Sequence, residues 1–187
     1  MTGNTKLSVS PNFLIIAAAM LLLLPLPWVT GWFLAVAVHE LSHCIALFLC
    51  GVPIICIEID MLGAKIGTAE LSWGQTIICA LAGPFGGLLL LTGKRFLPHA
   101  AVCALVQSAY NLLPVYPFDG GRAIHALMSG LFGRRIGEIT CKVITWIVIV
   151  MLLCILIAGT IVWDSGLLLA LGVAFAAKFR KIKIPCK

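Results

Sequence analysis

The sequence predicts an all-α polytopic membrane protein of about six transmembrane helices, with a short membrane-associated β-hairpin between the second and third. Three observations carry this. The chain is 61% hydrophobic and 11% charged, with a mean hydropathy of +1.12, more apolar surface than a domain in water needs. Several windows of roughly 18 or more residues lack Asp, Glu, Lys and Arg, enough to cross a hydrocarbon layer as a helix. Within residues 54–72, Ile57, Ile59 and Met61 alternate with Glu58, Asp60 and Leu62, a strand's period of two.

The first span is expected over about residues 11–26. Lys6 before it gives a superficial likeness to a signal peptide, but Pro25-Leu26-Pro27-Trp28 offers no small-residue cleavage pattern, so the span is read as retained. Pro25, Pro27 and Gly31 predict a turn, and Trp28 and Trp32 suit the membrane interface. The second span covers about residues 32–50 and stops at Gly51-Val52-Pro53. The hairpin turns at Leu62-Gly63 and returns through residues 64–70. A third span, about residues 75–91, holds Ala82-Gly83-Pro84 and Gly86-Gly87, which permit a kink and close helix packing. The fourth, about residues 99–113, runs into Pro114, Pro117 and Gly120-Gly121, which forbid a regular helix. An amphipathic stretch over residues 122–131 precedes a fifth span at 139–162 and a sixth at 167–179. One membrane-embedded domain is expected over residues 1–187, with its core at about 30–125.

The net charge of +6 is placed for a membrane surface. Lys178, Arg180, Lys181, Lys183 and Lys187 form a basic tail, and Arg134 and Arg135 lie in a loop. By the positive-inside rule both termini are cytosolic and face anionic lipid, although Lys94-Arg95 falls on the other side. No aromatic-basic platform accompanies these charges, which argues against nucleic acid. The eight cysteines include no C-x-x-C and mostly lie inside apolar spans, so no disulfide framework is implied.

His39-Glu40-Leu41-Ser42-His43 sits in the middle of the second span. Each ionisable group there costs about 2.5–3.5 kcal/mol on insertion scales, so such groups are rare and usually functional. His39 and His43, four residues apart, share a helical face and can reach one metal ion, most simply Zn²⁺. Glu40 is offset beside that ion, where it can act as a general base. A tetrahedral site needs a third protein ligand, and Asp119, on unwound backbone after the fourth span, is the best candidate. Counting inward from Gly51, the histidines lie on the order of 12–18 Å deep. Zn²⁺ with two ionised carboxylates and two neutral imidazoles is electroneutral, far cheaper to bury than its parts. Asp119 could instead cap a helix beginning at Gly120, and His125 is an alternative ligand. Asn111 either donates to an oxyanion or makes an interhelical hydrogen bond.

HELSH in an early span, AGP in a later one, and N-x-x-P-x-x-P-x-D-G-G over residues 111–121 together resemble the site-2 protease family of intramembrane zinc metalloproteases. The compact arrangement is most similar to its sporulation-type bacterial branch. The resemblance implies zinc at His39, His43 and Asp119, Glu40 as catalytic base, and substrates that are membrane-spanning helices cut within or near the bilayer. The AGP here is followed by Phe85-Gly86-Gly87, without the Asn often found there, and no PDZ insertion or nucleotide-sensing domain is recognised. The alternative functions are a membrane metal transporter or metal-binding sensor, which leaves Glu40 unexplained, and a catalytically dead membrane adaptor.

Overall fold

The computed structural model describes residues 6–60 and 63–163. The expected sixth span at 167–179 and the basic tail lie outside the described residues. The chain divides into two compact units, Met1–Leu112 and Leu113–Lys187.

The first unit begins with β1 (Lys6–Val9) and α1 (Pro11–Leu23). Pro11 occupies the first helical turn, where its missing N–H costs nothing, and the Ser10 side chain accepts from the Phe13 N–H. α2 then spans Leu26–Leu49, and the turn expected around residues 25–31 shrinks to residues 24–25. Pro27 falls in the first turn of α2 and therefore starts the helix instead of breaking it. Gly31 lies inside α2, where a Cβ would come within 2.9 Å of the His99 and Ala100 backbone, so glycine there serves close packing on α4.

The expected hairpin is present as β2 (Ile54–Asp60) paired antiparallel with β3 (Gly63–Thr68). β1 adds to β2 in parallel, giving a three-stranded sheet in the order β1-β2-β3. α3 (Trp73–Leu88) opens with a capping box: the Ser72 side chain accepts from the Gln75 N–H, and the Gln75 side chain reaches back to Ser72 N–H. A 3₁₀ turn over Leu89–Gly93 extends it, and α4 (Pro98–Asn111) follows. α2, α3 and α4 pack on one another, while Ala46, Leu47 and Cys79 form a buried cluster against Ile54 and Ile66 of the sheet.

The second unit holds α5 (Asp119–Phe132) and α6 (Arg134–Trp163), joined at Gly133, whose φ of +89° suits glycine. α5 starts at Asp119, three residues earlier than the amphipathic stretch suggested, and α6 starts at Arg134, so the loop expected there is a single glycine. The Thr145 hydroxyl accepts from the Tyr116 N–H at 3.3 Å, tying the proline-rich segment to α6.

Three described helical stretches, Leu26–Leu49, Trp73–Gly93 and Arg134–Gly159, are long and apolar enough to cross a membrane. α1 and α4, of 13 and 14 residues, are shorter than the roughly 20 residues a perpendicular crossing needs. Large apolar side chains such as Leu22, Phe48 and Leu49 stand well exposed, a surface matched to hydrocarbon rather than water.

Candidate active site

His39 and His43 are both buried on the face of α2 that meets α3 and α4. The His43 ring nitrogen Nδ1 lies 2.7 Å from the Cys79 carbonyl oxygen. A carbonyl only accepts, so Nδ1 carries the proton and Nε2 presents a lone pair. That Nε2 is 3.2 Å from His39 Nε2, and the Asn111 side-chain amide is 3.3 Å from the same His39 nitrogen. With the Asn111 amide donating, His39 Nε2 is an acceptor too. In that tautomer both Nε2 atoms can offer a lone pair to one cation.

The spacing fits zinc. Two nitrogens bound to one tetrahedral zinc at about 2.0–2.1 Å stand about 3.3–3.4 Å apart. The carbonyl behind His43 is the outer partner that orients a metal-binding imidazole and raises its basicity.

Glycines on α3 make room for this pair. A Cβ on Gly83 would collide with the His43 imidazole at Nε2, and one on Gly86 would collide with the Ser42 hydroxyl. Pro84, between them, leaves its carbonyl to accept from the buried Ser108 hydroxyl at 2.9 Å, which links α3 to α4. The Ala82-Gly83-Pro84 motif therefore seats a histidine as well as packing a helix.

Glu40, next to His39 on α2, reaches toward the sheet. Its Oε1 accepts from the Ala64 N–H at 3.0 Å, where β3 leaves the hairpin turn. Gly63 beside it has φ +120°, and a Cβ there would press on Glu40 Oε1 at 2.6 Å. Glu40 also forms part of the wall of a cavity of about 370 Å³. The remaining wall is largely apolar, from α2 (Phe33, Val36, Ala37), the sheet (Ile57, Ile59, Ile66) and α4. The base candidate thus stands between the imidazole pair and an apolar chamber.

Asp119 lies in the second unit, in the first turn of α5, where a carboxylate is favoured by the helix dipole. It does not cap the helix; that position belongs to Phe118. Its Oδ1 is 3.9 Å from the half-exposed Arg122 guanidinium, a loose pairing of the kind worth about 0–1 kcal/mol. His125, the alternative ligand, lies on α5, one residue before the buried Ala126. Burial pushes the Tyr116 phenol up from its usual range, partly offset by Arg122, so it stays protonated at neutral pH.

The structure therefore brings together His39, His43 and Asn111, with Glu40 fixed beside them by the hairpin. The Cys79 carbonyl, the Ala64 N–H and Gln107 of the cavity wall were not foreseen. Only Gly83 carried a signal, as the centre of AGP.

No family model matches the chain. A protein of Synechocystis sp., whose name assigns it provisionally to the zinc metalloproteases, is 25% identical over 132 aligned residues. The match covers 58% of this chain and 35% of that protein, so this chain spans about a third of that relative's length. The site-2 protease from Methanocaldococcus jannaschii superposes with a TM-score of 0.62 at 20% identity, covering 100% of this chain and 95% of that one. The likeness runs beyond the 30–125 segment that carries the motifs, and the fold of this chain is that of a site-2 protease.

Proposed function

We propose that this protein is an intramembrane zinc metalloprotease that hydrolyses peptide bonds of membrane-spanning substrates within or near the bilayer. The observation that carries this is the pair of imidazole Nε2 atoms 3.2 Å apart in a long apolar helix, with Glu40 held beside them by a backbone N–H. A metal transporter or sensor would use the imidazoles, but gives no reason to immobilise a carboxylate that is not a ligand.

His39, His43 and Asp119 hold the zinc. Asp119 is assigned on the N-x-x-P-x-x-P-x-D-G-G pattern and on the need for a third anionic ligand. Zinc bound there would supply Lewis acidity and make water a nucleophile near neutral pH. Glu40 takes the proton of the attacking water and returns it to the leaving amine. The Ala64 N–H, by occupying Oε1, limits the directions in which that carboxylate can turn. Asn111, whose amide lies 3.3 Å from His39 Nε2, is assigned to donate to a developing oxyanion once that nitrogen is given to the metal.

A helical substrate hides its peptide bonds and must unwind first. β3 is an edge strand in the described sheet, and beyond Ala64, whose N–H is taken by Glu40, its outer side offers backbone groups to an extended segment. The chain is further proposed to be multi-pass, with both termini cytosolic.

The test is zinc content together with chelator-sensitive cleavage. Wild type should carry about one zinc per chain, His43→Ala and Asp119→Ala should lose it, and Glu40→Gln should keep it while losing hydrolysis. Zinc transport by a Glu40→Gln variant would replace this reading with the transporter.

A further inference from the structure

The cavity beside Glu40 has an apolar wall except at a few places, and one of them is unexplained. Gln107 on α4 is only 5% exposed, and its Oε1 is buried with no hydrogen-bond partner. It lies one helical turn before Asn111, so both project from the same face of α4. A buried carboxamide oxygen without a donor is unfavourable, and native interiors rarely retain one unless a ligand or water completes it.

The cavity indicates what completes it. Its volume of about 370 Å³ sits at the lower end of the roughly 300–1,000 Å³ typical of ligand pockets. The walls of Val36, Ala37, Ile57, Ile59 and Ile66 suit an apolar side chain. A lipid acyl chain would fill the space but leave Gln107 unsatisfied. A peptide supplies both an apolar side chain and a backbone N–H and C=O, which match either orientation of the carboxamide.

We infer that Gln107 and this cavity form a substrate subsite: the carboxamide hydrogen-bonds the backbone of the unwound substrate, and the chamber takes a large apolar side chain next to the cut bond. This rests on the peptidase reading and names the substrate feature that the same centre selects. Gln107 is a binding residue here; Glu40 remains the base.

The test uses the full chain in detergent and a membrane-spanning peptide of Leu and Ala with a central Gly-Pro break. Residues flanking the break are varied from Ala to Leu to Phe. Binding is read by fluorescence titration in the Glu40→Gln background, so that it does not depend on turnover. Gln107→Leu, similar in volume, should weaken binding about tenfold for every peptide. Ala37→Phe, which narrows the chamber from an exposed position of α2, should abolish the preference for Phe and Leu over Ala while leaving the Ala peptide bound. A merely structural Gln107 would leave affinity unchanged at equal folded fraction. Unchanged affinity in Gln107→Leu, or no side-chain preference in its parent, overturns the inference. Hydrolysis of the same peptides by the unsubstituted chain is read separately, and its absence counts against the peptidase reading alone.

Discussion

Glu40 and His43 occupy one helix, yet what fixes each comes from a different neighbour. His43 is oriented by a carbonyl of α3, and Glu40 by an amide of β3. Their substitutions should therefore separate. Glu40→Gln is expected to lower the hydrolysis rate by about 10²–10⁴-fold, the usual worth of a positioned general base, with zinc unchanged by metal analysis. Gly83→Ala should act on the metal instead. The added methyl meets the His43 ring at the nitrogen that faces His39, and overpacking of this kind costs about 1–3 kcal/mol. Lower zinc occupancy and a lower melting temperature are expected together; full occupancy would show that the ring can retreat.

At the scale of elements, the hairpin has a double task. Its β2 and β3 side chains Ile57, Ile59, Ala64 and Ile66 line the cavity, while its returning strand holds the carboxylate. Gly63→Ala should be felt at Glu40, because a Cβ at φ +120° is strained and presses on Oε1. The expected result is a loss of roughly tenfold in kcat with normal zinc content, since a Cβ at Gly63 meets the carboxylate and not the imidazoles. α3 contributes through what it lacks. Gly86 lets α2 approach at Ser42, and Gly86→Leu should wedge the two helices apart, costing about 1–3 kcal/mol in thermal unfolding.

For the whole molecule, zinc should stabilise as well as activate. A ligand bound only to the folded chain adds about 2.7 kcal/mol at a hundredfold excess over its Kd. Chelation should therefore lower the melting temperature of wild type and leave that of His43→Ala unchanged. Substrate selection belongs to this scale too. A substrate helix stiffened with Leu or Ala in place of its central Gly-Pro should be cut more slowly, and equal rates would remove unwinding from the scheme.

The sequence by itself determined three long apolar helices, the hairpin and the pairing of His39 with His43, because each is a local periodicity: 18-residue windows, alternation, or a spacing of four on one helix. It left the boundaries less certain. Pro27 and Gly31 looked like a turn, but Pro27 opens α2 in its first turn and Gly31 lets that helix pack closely on α4. β1 was invisible because four residues carry no readable period and their partner lies some fifty residues away. The tertiary structure alone decided which atoms face one another: that Cys79 offers its carbonyl to His43, that Ala64 holds Glu40, and that Gln107 is enclosed without a donor. Those are contacts made by backbone groups or by side chains from separate helices, and backbone groups leave no trace in residue identity until the chain has folded.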